Sequence, residues 1–241
     1  MEIGRVSRSL PQALPDGMDA PQRAGRYGEV LTAGLPRTKH VYADEGSYFV
    51  STNPTIGTSI PHVVLAAFDD TKPYIYLRNT EQAQNQQAKR IYLDYIKLLC
   101  KVVPASAVEW GYAGILDYAA ARYTSGGSAI TPVNVNGDIV MPSIASLIVG
   151  AITAIAGQSA RKVCRGRWRG VIPTIYDEYV LLFGGMEGGS SMAAAAASGR
   201  SVSMCAPVVI GPGQNFYLNM FGTSNASTAS EYEFEIGWWE R

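Results

Sequence analysis

Side chains that could transfer protons at neutral pH are scarce in this chain. It has two histidines, His40 and His62, and neither lies near a nucleophile motif, a cysteine or a second ligand at metal-binding spacing. We interpret both as ordinary surface or strand-end residues. Asp69 and Asp70 form a carboxylate pair, but Thr-Lys-Pro follows them, and this pattern is typical of a turn. The sequence therefore predicts no catalytic residues.

Glycines and cysteines predict no cofactor or metal site. The Gly-Pro-Gly stretch at 211–213 lacks the lysine and the hydroxyl residue of a phosphate-binding loop, and it predicts a tight turn between two strands. Cys100, Cys164 and Cys205 are widely spaced and form no paired motif. This spacing argues against a disulfide scaffold and against a structural zinc site. We expect a protein that is not an enzyme.

Basic residues alternate along the stretch RKVCRGRWRG, which starts at Arg161. Successive side chains of a β-strand point to opposite faces, so a strand here places Val163 with the arginines and places Cys164 and Trp168 on the other face. The arginine row consists of Arg161, Arg165, Arg167 and Arg169. Such a row of like charges is unfavourable unless an anionic group faces it.

Acidic residues alternate in the same way in the C-terminal run EYEFEIGWWER. We interpret its glutamates as partners of the arginine row, in bidentate contacts formed across strands or across a subunit boundary. This acidic row consists of Glu231, Glu233 and Glu235. Contact with a polyanion, a small anionic ligand and an unpaired solvated face remain alternatives. Trp238 and Trp239 are adjacent, so one indole of a regular strand faces away from the core, and we take Trp239 as an interface candidate.

Charge is balanced over the whole chain, with 20 Lys and Arg against 20 Asp and Glu. This balance argues against a general nucleic-acid binder. The uncharged run 139–157 is the segment most similar to a membrane span, but its Pro, Gly, Ser and Thr favour a buried pair of strands that bends near Gly150. We therefore expect neither a nucleic-acid partner nor a membrane.

Residues 1–45 differ from the rest of the chain, because they are rich in proline and basic residues, including Arg5 and Arg8, and show little periodicity. Such a segment buries too little apolar surface to fold alone. It predicts an extended arm that orders on a partner or a neighbouring subunit, with a disordered tail as the alternative. The N-terminus has no apolar core of a secretory signal, so we expect folding in the cytoplasm.

Residues 46–241 predict an all-β body, a β-sandwich. Short runs rich in β-branched and aromatic residues alternate with Pro, Gly, Asn and Asp. The predicted strands begin at Ser47, His62, Pro73, Lys89, Val108, Ile144, Arg161, Glu178, Ala206, Gln214 and Glu231. Residues 81–99 could instead form a helix, but the alternation in IYLDYI favours a polar loop and a long strand. The Gly- and Ala-rich run 184–199 predicts a surface loop.

Six blocks of this body carry a resemblance to a known group of proteins. They read FDDTKPYIYLRN, RIYLDYIKL, RYTSGGSAITPVNVN, RGVIP, APVVIGPGQNFYLNMF and EFEIGWWER, and PVVIGPGQ and GWWER are the most specific pieces. From Phe49 to Arg241 the chain resembles a group of tailed-bacteriophage virion proteins, encoded beside head genes, that look like head decoration or cement proteins. The resemblance implies a non-enzymatic sandwich of jelly-roll type, a homotrimer attached to the capsid exterior.

The expected function is therefore that of a structural protein made in the host cytoplasm, which binds major capsid protein and its own copies and uses its arm as a clamp. The alternative is the receptor- or glycan-binding head of a phage fibre or tail component, since the same β architecture hosts sugar sites. The expected interface residues are Arg5, Arg8, Arg165, Arg167, Arg169, Glu231, Glu233, Glu235 and Trp239. No cofactor is expected.

Overall fold

Strands dominate the computed structural model, which describes residues 38–61, 63–82, 88–103, 110–118, 122–139, 141–157, 161–168, 175–184, 200–222 and 230–241. The helix of these ranges is α1 (Thr38–Asp44). The strands are β1 (Tyr48–Thr52), β2 (Ile60–Pro61), β3 (Ile75–Asn79), β4 (Ile91–Val102), β5 (Trp110–Asp117), β6 (Tyr123–Ile130), β7 (Val133–Asn134), β8 (Ala145–Ala154), β9 (Lys162–Trp168), β10 (Glu178–Phe183), β11 (Arg200–Cys205), β12 (Val208–Ile210), β13 (Asn215–Gly222) and β14 (Glu231–Glu240).

Two sheets pack against each other, which confirms the all-β sandwich. The larger sheet has the order β11-β10-β4-β14-β1-β7, with β12 also paired to β4 and β2 to β14. The smaller sheet has the order β6-β8-β3-β13-β5-β9. Strands β10 and β11 run parallel, and every other pair among the described strands is antiparallel.

The core lies between the sheets and follows from alternation along the strands. In β14, Tyr232, Phe234, Ile236 and Trp238 are buried, and the residues between them face outward. Fully burying side chains of this size stabilises the fold by roughly 1.5–3 kcal/mol each relative to exposure. Strand β4, which pairs with β14, shows the same alternation. It confirms the predicted long strand, and the alternative helix over residues 81–99 is not formed there.

The outer face of the smaller sheet is covered as well. Tyr76, Ile115 and Tyr217 are buried there, and Phe68 packs on them. Phe68 belongs to the run predicted to be a strand from His62, but residues 63–68 form no strand. From this segment it is Phe68 that packs against the second buried cluster, whereas Val64, Ala66 and Ala67 are exposed. His62 itself lies outside the described residues.

Two predicted turns are confirmed. The amide of Gln214 donates to the carbonyl of Gly211 at 3.0 Å, and Gly213 has φ of 72°, the left-handed conformation that a turn of this kind requires. This turn connects β12 of the larger sheet to β13 of the smaller one. At Asp69, the carboxylate accepts hydrogen bonds from the amide and hydroxyl of Thr71, and these bonds lower the pKa of Asp69.

The structure differs from the sequence-based expectation in three further places: around Gly150, at strands that the pattern does not predict, and in the expected N-terminal arm. Residues 145–154 form one strand rather than a bent pair, because β8 is paired on both sides, with β3 and β6. In the part of the chain that the structure describes, no helix is long and apolar enough to cross a membrane. Strands β6 and β11 are not among the predicted strands, because YTSGGSAI and RSVSMC are rich in Gly, Ser and Thr or in polar residues. Residues 38–44 of the expected arm form α1, whereas 1–37 and 185–199 lie outside the described ranges.

Candidate functional site

A row of aromatic rings crosses the outer face of the larger sheet. Trp239 of β14 lies in register with Tyr92 of β4 and Tyr48 of β1. The Tyr92 and Trp239 rings stack with centroids 5.7 Å apart, and Tyr48 lies 6.5 Å from Trp239 on the other side. Tyr42 of α1 stacks on the same indole at 5.2 Å. Trp239, predicted to face away from the core, therefore holds α1 against the sheet.

A buried carboxylate provides a second attachment for α1. In the pairing of β4 with β14, Gly237 lies opposite Tyr95 and Trp238 lies opposite Leu93, so Asp94 is an extra residue in β4. Its side chain is 6% exposed. The Lys39 ammonium lies 2.8 Å from its Oδ2, and the Tyr48 hydroxyl donates to the same oxygen at 2.6 Å. Burial and this hydrogen bond raise the pKa of Tyr48 well above its usual range. The charge of Asp94 is thus compensated by α1.

A cleft of about 270 Å³ opens beside this cluster. Its lining includes Tyr42, Tyr92, Trp239, Phe183 and Pro207. The cleft is mostly apolar, and the Lys39 and Asp94 pair supplies its charged groups. Such a site suits an apolar side chain or a flat ring better than a proton-transfer reaction. Among the described residues, no group of His, Cys, Asp and Glu has the arrangement of a metal site.

The acidic row of β14 lies on this same face, as predicted, but its partners within the chain differ from the expected ones. Ser59 donates to Glu231, Lys101 lies 3.3 Å from Glu233, and Lys97 lies 3.5 Å from Glu235. These lysines belong to the neighbouring strand β4. The partly exposed Lys97 pair contributes only about 0–1 kcal/mol.

The basic row lies in the other sheet. Strand β9 pairs with β5 at the edge of the smaller sheet, so it is not a neighbour of β14. Arg165 lies opposite Ala113 and is exposed, and Arg167 lies opposite Gly111. Arginine–glutamate pairing between neighbouring strands of one chain is therefore wrong, because the two rows belong to different sheets. Pairing across a subunit boundary stays a prediction.

The predicted faces of β9 also need a correction. The register shifts between Gly114 and Ile115, so Ile115 pairs with Lys162 and Val163 is the extra residue. Val163 packs against the core, and the Lys162 ammonium lies over the ring of Phe68, on the outer face. Lys162, rather than Val163, therefore shares the outer face with Arg165. One extra residue in a strand exchanges the faces to which the residues on its far side point. Arg169 lies outside the described residues.

Gly237 of β14 leaves room for tyrosine side chains of the two neighbouring strands beside the acidic row. The ring of Tyr95 and the hydroxyl of Tyr48 both lie over Gly237, where a Cβ would meet ring carbon Cε1 at 2.3 Å. This position lets the Tyr95 hydroxyl donate to Glu235 at 2.6 Å. Burial and that hydrogen bond raise the pKa of Tyr95. Gly237 therefore belongs to the site although it carries no side chain.

Sequence reasoning missed the cleft and its charged pair. The residues come from α1, β1, β4 and β14 and from the segment around Pro207, which are distant along the chain. Alternation marks Tyr92 and Trp239 as outward-facing, but nothing in the sequence indicates that their strands are neighbours. The spacing of Lys39 and Tyr42 is the one available signal, because residues three apart share a face of a helix.

Comparison of the chain with protein-family models, curated proteins and solved structures found no match. The expected interface residues Arg5 and Arg8 lie outside the described ranges. The described part of the site comprises the aromatic row, the Lys39–Asp94 pair and the acidic row.

Proposed function

We propose that this protein is a structural component of a bacteriophage particle, a homotrimer of jelly-roll sandwiches that binds major capsid protein on the shell exterior. It acts without catalysis, and residues 1–37 reach a neighbouring subunit or the capsid surface as a clamp. The virion-protein resemblance of Phe49 to Arg241 supports the particle role, and the β-sandwich is compatible with it.

The observation that carries the clamp is the attachment of α1. A clamp transmits force only if the root of the arm is fastened to a rigid body. Tyr42 stacks on Trp239 at 5.2 Å, and Lys39 pairs with Asp94 at 2.8 Å, so the end of the arm is held at two points on one helical face. A seven-residue helix would not be stable alone in water. Its order therefore comes from these contacts with the sheet.

The test is a truncation that removes residues 1–37 and keeps α1. We expect the truncated and full-length proteins to have the same circular dichroism spectrum and the same oligomeric mass. Only the full-length protein should sediment with capsid shells that lack it. Shell binding by the truncated protein at full-length affinity would show that the arm is not a clamp. If the truncated protein folds normally and does not bind shells, the lost binding is due to the missing arm and not to an unfolded sandwich.

A second candidate is a glycan-binding head of a fibre or tail component, and the cleft is the observation that favours it. Aromatic walls beside a charged pair are suited to the apolar and polar faces of a sugar ring. However, Tyr42, Tyr48 and Tyr92 all stack on Trp239, so its indole already has ring partners within the protein. Saturable binding on a glycan array, lost in Tyr92→Ala and competed by free sugar, would favour this candidate over the shell protein.

A further inference from the structure

Two cysteines meet between the inner faces of the two sheets at one edge of the sandwich, where β11 contacts β9. Cys205 ends β11 and lies in register with Phe183 of β10, which is buried in the core. Directly opposed residues point to the same side of a sheet, so the Cys205 side chain faces the core. It is partly buried and packs against the core cluster.

Cys164 approaches the same place from the smaller sheet. It lies opposite Gly114 of β5, and a Cβ on that glycine would overlap the Cys164 Sγ. Cys164 also packs against the core cluster. Strand β9 contacts β11 here, and the thiols of Cys164 and Cys205 interact directly with each other. The two sulfur atoms are therefore neighbours across the space between the sheets.

A second contact fixes β11 at the same place. Tyr112 of β5 and Ser203 of β11 hydrogen-bond through their hydroxyl groups. Ser203 lies opposite the buried Leu181, so it shares the inner face with Cys205. The Tyr112 ring lies over Gly166, which leaves space for it. The thiol pair is thus held in position by a polar contact that joins the same strands.

We propose that Cys164 and Cys205 form a disulfide bond that joins the two sheets once the protein meets an oxidising environment. The thiolate of Cys205 attacks a low-molecular-weight disulfide, such as oxidised glutathione, and releases one small thiolate. Cys164 then loses its proton and attacks the Cys205 sulfur of the mixed disulfide, which releases the second small thiolate. The protein loses two hydrogens and two electrons, and one small disulfide becomes two small thiols.

The roles of the two sulfurs follow from their contact. The hydrogen bond from Cys164 lowers the pKa of Cys205, and the same bond, together with burial, raises the pKa of Cys164. Cys205 is therefore the attacking thiolate and Cys164 the second thiol. Cys100 is different, because it is fully buried in β4 and burial raises its pKa to about 11. Cys100 is the control cysteine.

The bond would secure an edge of the larger sheet. Strand β11 is the last strand of that sheet among those described, and β10 is its pairing partner there. Edge strands with one partner open more readily than central strands. A covalent link to β9 would restrict this opening and restrict the unfolded chain. This role is independent of the proposed place in a virion.

Full-length protein is incubated with oxidised glutathione, alkylated and digested without reduction. We expect a linked peptide pair that contains Cys164 and Cys205, two hydrogens lighter than the separate peptides, in the wild type and in Cys100→Ser. The pair should be lost in Cys164→Ser and in Cys205→Ser. Oxidation should slow hydrogen exchange of β11 amides and raise the unfolding temperature, and both changes should reverse with dithiothreitol.

Two results would overturn the proposal. One is the absence of the Cys164–Cys205 pair from native wild-type protein after prolonged exposure to the oxidant. The other is that pairs containing Cys100, or pairs between chains, form as readily as the expected pair. The wild-type peptide map alone decides this, so a serine variant that fails to fold does not affect the conclusion.

Discussion

Replacement of Tyr42 by alanine should release α1 from the sandwich while the sandwich stays folded. Tyr42 is half-buried, so its burial contributes about 1 kcal/mol, and its stack on Trp239 adds roughly 0.5–1.5 kcal/mol. The sum is about 2 kcal/mol. Each 1.4 kcal/mol changes an equilibrium tenfold, so the helix should open about 30-fold more often. Lys39 and Asp94 remain to hold the helix, so release is partial.

Hydrogen exchange measures this opening directly. The amides of Gly46 and Ser47 donate to the carbonyls of Ala43 and Tyr42, and they are protected only while the end of α1 is formed. We expect both to exchange about 30-fold faster in Tyr42→Ala, whereas amides of β4 and β14 keep their rates. Tyr118→Ala is the matched control, because Tyr118 is 52% exposed and lies outside the cleft.

Unchanged exchange at Gly46 and Ser47 in Tyr42→Ala would refute the reasoning, because α1 would then be held by something other than its aromatic contact. Faster exchange throughout β4 and β14 would refute it in another way, since the helix would then be part of the global folding unit. If the clamp proposal holds, the same variant should also bind capsid shells more weakly than the Tyr118→Ala control.

Two further predictions concern the sheets. Gly237→Ala should lower the free energy of unfolding by about 1–3 kcal/mol in urea titrations, because its Cβ would meet the ring of Tyr95, whereas Gly137→Ala, with no atom near its Cβ, should have little effect. Stability of Gly237→Ala equal to that of the control would contradict this account. Arg165→Glu should reduce the oligomeric mass measured by light scattering if the two charged rows meet across subunits, and Glu235→Lys in the same chain should partly restore it. If the second change restores nothing, that pairing is wrong.

Alternation along single strands could be predicted from the sequence with good accuracy. It put the glutamates of β14 on one face, and the structure confirms this, with Tyr232, Phe234 and Ile236 buried on the other face. The turn at 211–213 is predictable too, because the backbone preferences of Pro and Gly act within a few residues of the chain. Strand β9 shows where this reasoning ends. Its register shifts at Val163, and no local pattern indicates the shift.

The choice of strand neighbours could not be predicted. The two charged rows look complementary in the sequence, yet one lies in each sheet, and lysines of β4 face the glutamates instead. Hydrogen-bonded pairing of strands depends on backbone groups that every residue carries, so side-chain pattern specifies which face is buried far better than which strand lies alongside. The same limit hid the contact between Cys164 and Cys205, whose separation along the chain matches no known motif.

The amino-acid sequence by itself thus determined the all-β class, the buried faces of the main strands and the position of the tight turn, because these depend on local periodicity and backbone conformation. Only the tertiary structure decided that α1 packs on Trp239, that Asp94 is paired with Lys39, and that the thiols meet between the sheets. Each of these contacts joins segments far apart in the chain, and such contacts arise from how whole sheets pack.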